Sequence, residues 1–240
     1  MNSWTEYVDI YCERTMPGMW NEPLNAVSNL AFVISAIVVF NLYRSDRIPV
    51  VNLLIANLAA IGIGSGLFHT FANEWSSTVD VFFIATYILI YLYAANRHFL
   101  KLNVPWSAGL TVLAIPYTPI AATGIGMALP WIGGSSVYGA INLLIYGYGV
   151  FLWKRHPALA RRLLVGAIVL SVSIAFRTAD HMVCPAFPLG THWAWHLLNA
   201  LMLGWMIFAL RSHIVEASRG YSPETRRHFE HQDTDHVDKP

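Results

Sequence analysis

Seven apolar runs, each long enough or nearly long enough to cross a bilayer, dominate this chain and leave few folds open to it. They lie at approximately 24–43, 50–71, 78–95, 106–122, 136–153, 163–179 and 191–210. A spanning helix needs about 20 residues. Lipid offers no water to satisfy a backbone, so each run must be a helix rather than part of an open sheet. Charged residues make up only 12% of the chain, against about 25% in a typical soluble domain. The expected fold is therefore all-α: an integral membrane bundle of seven transmembrane helices. A net charge of +1 and the lack of a basic, aromatic-interleaved stripe give no reason to expect a nucleic-acid partner.

Charge in the connections sets the expected orientation. Arg44, Arg47, Arg97, Lys101, Lys154, Arg155, Arg161 and Arg162 fall in the first, third and fifth connections, and five more Lys and Arg follow the last run. Only Arg14 and Arg177 of the 15 Lys and Arg fall on the other side. That bias predicts an outer N-terminus and a cytosolic C-terminus. Residues 1–21 lack a basic stretch followed by an apolar core, so no cleavable leader is expected and the first run stays as an anchor. Three segments result: an extracytoplasmic stretch at 1–23, a membrane domain at 24–211 and a polar cytosolic tail at 212–240, expected to be disordered. The localisation expected is multi-pass, in the plasma (inner) membrane if the source is bacterial.

Against this apolar background a few polar residues stand out, and ionisable groups at membrane depth point to function. Alternating crossings put Ser65 and His69 near the outer end of the second run, and Asp80 near the outer start of the third. The same alternation puts His192 and His196 in the first two turns of the seventh. The two histidines are i,i+4, on one helix face and about 6 Å apart along its axis. That spacing lets a helix present two imidazoles to one zinc ion. His69 supplies a third ligand from another helix. Three His with an open position describe a catalytic site rather than a closed structural one. Asp80 is placed to hold or deprotonate a water there, and Ser65, i−4 to His69, faces the same way.

Other polar residues have plainer readings. Asn25, Asn29, Asn142 and Asn199 suit hydrogen bonding between helices. Arg177 and Asp180, i,i+3, read as a local ion pair, and His181 beside them as a neighbour of the metal site. Cys12 and Cys184, the two cysteines of the chain, both fall on the outer side, where disulfides persist. Two free thiols are the alternative, and the shared oxidising face favours the bond. The seventh run has no Lys, which excludes a retinal Schiff base.

The residues just described lie in longer motifs: Tyr11-Cys12-Glu13, Glu22-Pro23-Leu24-Asn25-Ala26-Val27-Ser28-Asn29-Leu30, Gly64-Ser65-Gly66-Leu67-Phe68-His69, Asp80, and His192-Trp193-Ala194-Trp195-His196. With these the chain resembles the alkaline ceramidase family, within a wider group of seven-helix hydrolases that includes adiponectin-receptor-like proteins. The resemblance covers the membrane region and omits the tail. It implies that His69, His192 and His196 bind zinc, that Asp80 orients and deprotonates the attacking water, and that Ser65 stabilises the oxyanion. The implied reaction is hydrolysis of the ceramide amide to a sphingoid base and a fatty acid, with a membrane lipid as partner. It also implies a Cys12–Cys184 pair and, in some members, calcium in the N-terminal segment. Glu13 and Glu22 match that calcium pattern. Ile10 stands where Asp is expected and Thr15 where Asn is expected, while Tyr11 offers only its carbonyl. A lipid-binding receptor or sensor with a regulatory zinc site is the alternative function, and a transporter using the His cluster as a transit site is a third.

Overall fold

A computed structural model of the chain describes residues 3–219. Its helices are α1 (Pro23–Ser28), α2 (Leu30–Tyr43), α3 (Pro49–Phe71), α4 (Glu74–His98), α5 (Val104–Ala128), α6 (Ser136–Leu152), α7 (Pro157–Val183) and α8 (His192–Arg219). Short 3-10 turns occupy Ser3–Thr5 and Pro130–Ser135. No strand forms among the described residues; Tyr7 and Asn73 make one isolated antiparallel bridge. The first apolar run is α1 and α2 together, joined at Asn29, so seven helices are long and apolar enough to cross a membrane. That agrees with the expected fold class and is consistent with a multi-pass membrane protein.

Local chemistry explains where the helices begin. Proline sits in the first turn of α1, α3, α5 and α7, where its missing N–H has no intrahelical partner to lose. Asn73 and Ser76 close a capping box at the start of α4, and the Asn103 side chain accepts from the Trp106 N–H at the start of α5. Most helices overrun their apolar runs. The largest difference is at the end of the chain: α8 carries on through Ser212 to Arg219, because a helix does not stop where its apolar face does. The tail expected from 212 therefore begins as helix, and its remainder, with His228, His231 and His236, lies outside the described residues.

The helices pack in chain order, and α8 closes the ring against α2 while also touching α3 and α4. Large apolar side chains such as Ile34, Leu42, Leu113, Ile120 and Phe151 are exposed on the outside of the bundle. An exterior carrying this many large apolar side chains is consistent with an environment other than water. Close approach of α3 to α1 and α2 depends on Gly62, where a Cβ would meet the Phe32 Cβ at 2.9 Å and the Asn29 carbonyl at 3.0 Å. Interfaces built on small residues are how helices associate without a hydrophobic driving force. At the end of the bundle remote from the His residues, Asp46 pairs with Arg211 at 2.7 Å and Arg162 with Glu216 at 2.8 Å.

Candidate metal centre

His69 lies in the last turn of α3, His192 and His196 in the first two turns of α8, and Asp80 near the start of α4. These are the same end of the bundle. The three imidazoles are almost completely buried, at 1%, 2% and 1% exposure. Each offers a ring nitrogen within 4.8 Å of the others. Their ring centroids are 4.5–5.1 Å apart. The His192–His196 face follows from helix spacing, whereas the approach of His69 requires α3 and α8 to be neighbours.

Hydrogen bonding assigns the tautomers. Glu22 Oε2 lies 2.6 Å from His69 Nδ1. A carboxylate can only accept, so Nδ1 carries a proton and Nε2 is the nitrogen left to serve as a ligand. Ser28 Oγ donates to the Asn25 carbonyl at 2.8 Å and lies 2.7 Å from His196 Nδ1. Its one proton is thus spent, and His196 Nδ1–H must donate to it. This leaves His196 Nε2, which is buried without a hydrogen-bond partner, as does His192 Nδ1. Buried polar atoms are ordinarily paired. Two orphaned imidazole nitrogens, with the His69 ring beside them, are what a divalent cation would satisfy, and a partner on the far nitrogen is the usual orientation device for a metal-binding His. The residues present fit a metal ion.

The N-terminal segment folds over this end of the bundle. Val8 N donates to Ala72 O at 2.9 Å and Glu74 N to Glu6 O at 3.1 Å. Tyr11 stacks on His192 with ring centroids 3.6 Å apart. Burial pushes its phenol well above the ordinary range despite nearby Arg177, so the ring stays a neutral wall of the site. Cys12 and Cys184 are disulfide-bonded, with Cα atoms 5.6 Å apart. This pairing agrees with the expectation from their shared side.

Asp180 does something other than what its spacing suggested. The ion pair with Arg177 does not form. Its carboxylate accepts from the Cys12 N–H at 2.8 Å, the Thr191 N–H at 2.7 Å and the His192 N–H at 2.9 Å. It therefore joins the N-terminal segment to the start of α8, where negative charge is favoured. Gly190, at φ +61°, makes room: a Cβ there would run into the Asp180 carboxylate and lie 2.7 Å from the Cys12 Cβ. Arg177 instead donates to Ser135 Oγ at 2.9 Å and to Tyr11 Oη at 3.3 Å. His181 bonds the Ile10 carbonyl at 2.9 Å and takes no part in the His cluster. Asn25 and Asn29 bond within their own segment rather than between helices, whereas Asn142 does reach across to Ser171 at 2.8 Å.

The carboxylates matched to a calcium pattern are already occupied. Glu13 accepts from the Leu24 and Asn25 N–H groups at 2.7 and 2.8 Å, capping α1. Burial pushes its carboxyl up, and those two N–H groups oppose the rise. Glu22 takes Arg14, Asn25 and His69. Burial opposes its charged form, but the His69 and Arg14 donors outweigh this and hold it below the usual range. Ile10 and Thr15 are both exposed. Calcium needs 6–8 oxygen ligands, and this segment does not fit it.

From the His cluster an apolar cavity of about 100 Å³ runs down the interior. Ser65, Asp80, Tyr11, His192 and His196 line the end at the His cluster, and Tyr91, Ala95, Phe99 and Met206 the other end. Asp80 Oδ1 is buried there without a hydrogen-bond partner. Asp80 and Phe99 are nineteen residues apart on one helical path, about 28 Å at 1.5 Å per residue. That approaches the roughly 30 Å thickness of a bilayer's hydrocarbon core. The Tyr87 and Tyr91 hydroxyls are tied to the Leu203 and Met206 carbonyls at 2.8 and 3.1 Å, so the polar tips are satisfied and the rings face inward.

No protein-family model matches this chain, and no curated protein is similar enough to count as a match. Fold and site together give a helical protein with seven helices long and apolar enough to cross a membrane, consistent with a multi-pass membrane protein, and a buried three-histidine cluster that could hold a metal ion.

Proposed function

We propose that this protein is a zinc-dependent hydrolase of a linear lipid amide, ceramide being the substrate suggested by its resemblance to alkaline ceramidases. One observation carries the reading: a buried three-histidine cluster, with Asp80 and Ser65 beside it, opens into a long apolar cavity. Zinc in such a site is a Lewis acid and brings water toward ionisation near neutral pH. The cavity binds the hydrocarbon chain and excludes bulk water from the amide. Asp80, with an oxygen free of protein partners, takes a proton from the attacking water and delivers it to the leaving amine. Ser65 donates to the carbonyl oxygen as charge develops on it. The bias of Lys and Arg orients the chain with its N-terminus and site outside and its C-terminus in the cytosol.

The test is release of sphingoid base from a ceramide panel by detergent-purified protein. Chelation should lower release about a hundredfold or more, several kcal/mol of transition-state stabilisation, and added zinc should restore it. Full activity in metal-free protein would sink the proposal. Substrate length gives a second readout. Ala95→Phe puts bulk into the far end of the cavity. It should lower kcat/KM for the longest acyl chains by about tenfold or more while sparing short ones, since excluding one methylene is worth about 1–3 kcal/mol. An equal effect on all chain lengths would remove the cavity from substrate binding.

A further inference from the structure

Arg14 is a buried cation next to the His cluster. Its side chain is 0% exposed and the Glu22 side chain 1%. The guanidinium reaches three acceptors: Nε donates to Glu22 Oε1 at 2.5 Å, Nη1 to the Gly18 carbonyl at 3.0 Å, and Nη2 to the His69 carbonyl at 3.0 Å. Glu22 turns its other oxygen to His69 Nδ1 at 2.6 Å. Arg14 thus grips His69 twice, through the carboxylate on its ring and through its own backbone. A planar fork presents donors from three separate nitrogens in fixed directions, which the compact ammonium of a lysine does not reproduce. A buried carboxylate without a nearby cation would be strongly destabilising.

We propose that Arg14 is a built-in cation that replaces a divalent ion in the N-terminal segment and acts as a positioning residue for the metal centre. It neutralises Glu22 and, through Glu22, holds the His69 ring with Nε2 turned toward His192 and His196. The segment accordingly binds no calcium. Glu13 stands one residue away in sequence but serves differently, since its two oxygens cap α1 and neither bonds His69. This inference deepens the proposed function and rests on it only for the identity of the metal.

Two measurements on full-length, detergent-purified protein test it, both without lipid substrate. Millimolar calcium should leave the melting temperature of the wild type unchanged, with no calcium retained after desalting. Stoichiometric retained calcium would overturn the proposal. Zinc affinity is then read by competition with a chromophoric chelator. Arg14→Met and Glu22→Gln should weaken zinc by about 10–100-fold, the usual effect of removing a partner that orients a ligand. Glu13→Gln should lower the melting temperature while keeping zinc affinity within a few-fold. Arg14→Lys covers the case in which Arg14→Met does not fold. It keeps the charge but loses the fixed fork that spans Glu22 and the His69 carbonyl, so zinc affinity still falls about tenfold or more. Unchanged affinity in the Arg14 variants, or an equal loss in Glu13→Gln, would overturn the positioning role. If the affinity pattern holds in a protein that releases no sphingoid base, the hydrolase reading fails and this inference stands.

Discussion

His196→Ala should leave the purified protein without stoichiometric zinc and lower lipid-amide hydrolysis by about a thousandfold or more, roughly 4 kcal/mol of barrier. The expectation follows from three features of the site. His196 offers a buried Nε2 with no protein partner. Its Nδ1 is held by Ser28, so the ring cannot turn to present the other nitrogen without giving up that bond. The remaining pair, His69 and His192, comes from two different helices and is a two-ligand site at best. Truncation also leaves a void beside Phe32, whose ring centroid is 6.2 Å from that of His196. Helicity by circular dichroism and metal content should therefore be measured on the same sample. A well-folded His196→Ala protein that retains one zinc, or half of wild-type turnover, would remove His196 from the ligand set.

The second large effect is expected from Asp80→Asn, and it separates chemistry from metal binding. Asn keeps the shape and one carbonyl oxygen but cannot take up a proton. Loss of a general acid–base group typically lowers the rate by 10²–10⁴-fold. Zinc content should stay stoichiometric, because the three imidazoles and their partners Glu22 and Ser28 do not depend on Asp80. KM for the lipid should change little, since the apolar cavity supplies the binding. A rate within about fivefold of wild type would show that Asp80 moves no proton in the rate-limiting step. Loss of zinc in this variant would instead make Asp80 a ligand and require a different mechanism.

Much of the bundle and half of the site are legible along the chain because they are periodic or cumulative properties. Apolar runs of spanning length reveal the seven helices long enough to cross a membrane, and i,i+4 spacing reveals that His192 and His196 share a face. Alternating crossings bring His69 and Asp80 to the same end, and the same parity argument puts Cys12 and Cys184 on the same side, where the structure joins them. One reading that failed took sequence neighbours to be partners. Arg177 and Asp180 sit one helical turn apart, yet Asp180 is drawn to backbone N–H groups from the N-terminal segment and the start of α8. Glu22 matched a cation pattern by its place in a motif, although a guanidinium from eight residues earlier already holds it.

The helical class, the number of helices long and apolar enough to cross a membrane and the shared end of the bundle at which the histidines lie were therefore legible in the sequence itself, through the demand that lipid makes on backbone hydrogen bonds. Only the tertiary structure decided which nitrogen each histidine presents. Glu22 and Ser28 set that choice for His69 and His196 across separations of 47 and 168 residues. The physical reason is that a hydrogen bond is directional over about 3 Å, whereas the hydrophobic pattern that builds the bundle is non-directional and summed over many residues.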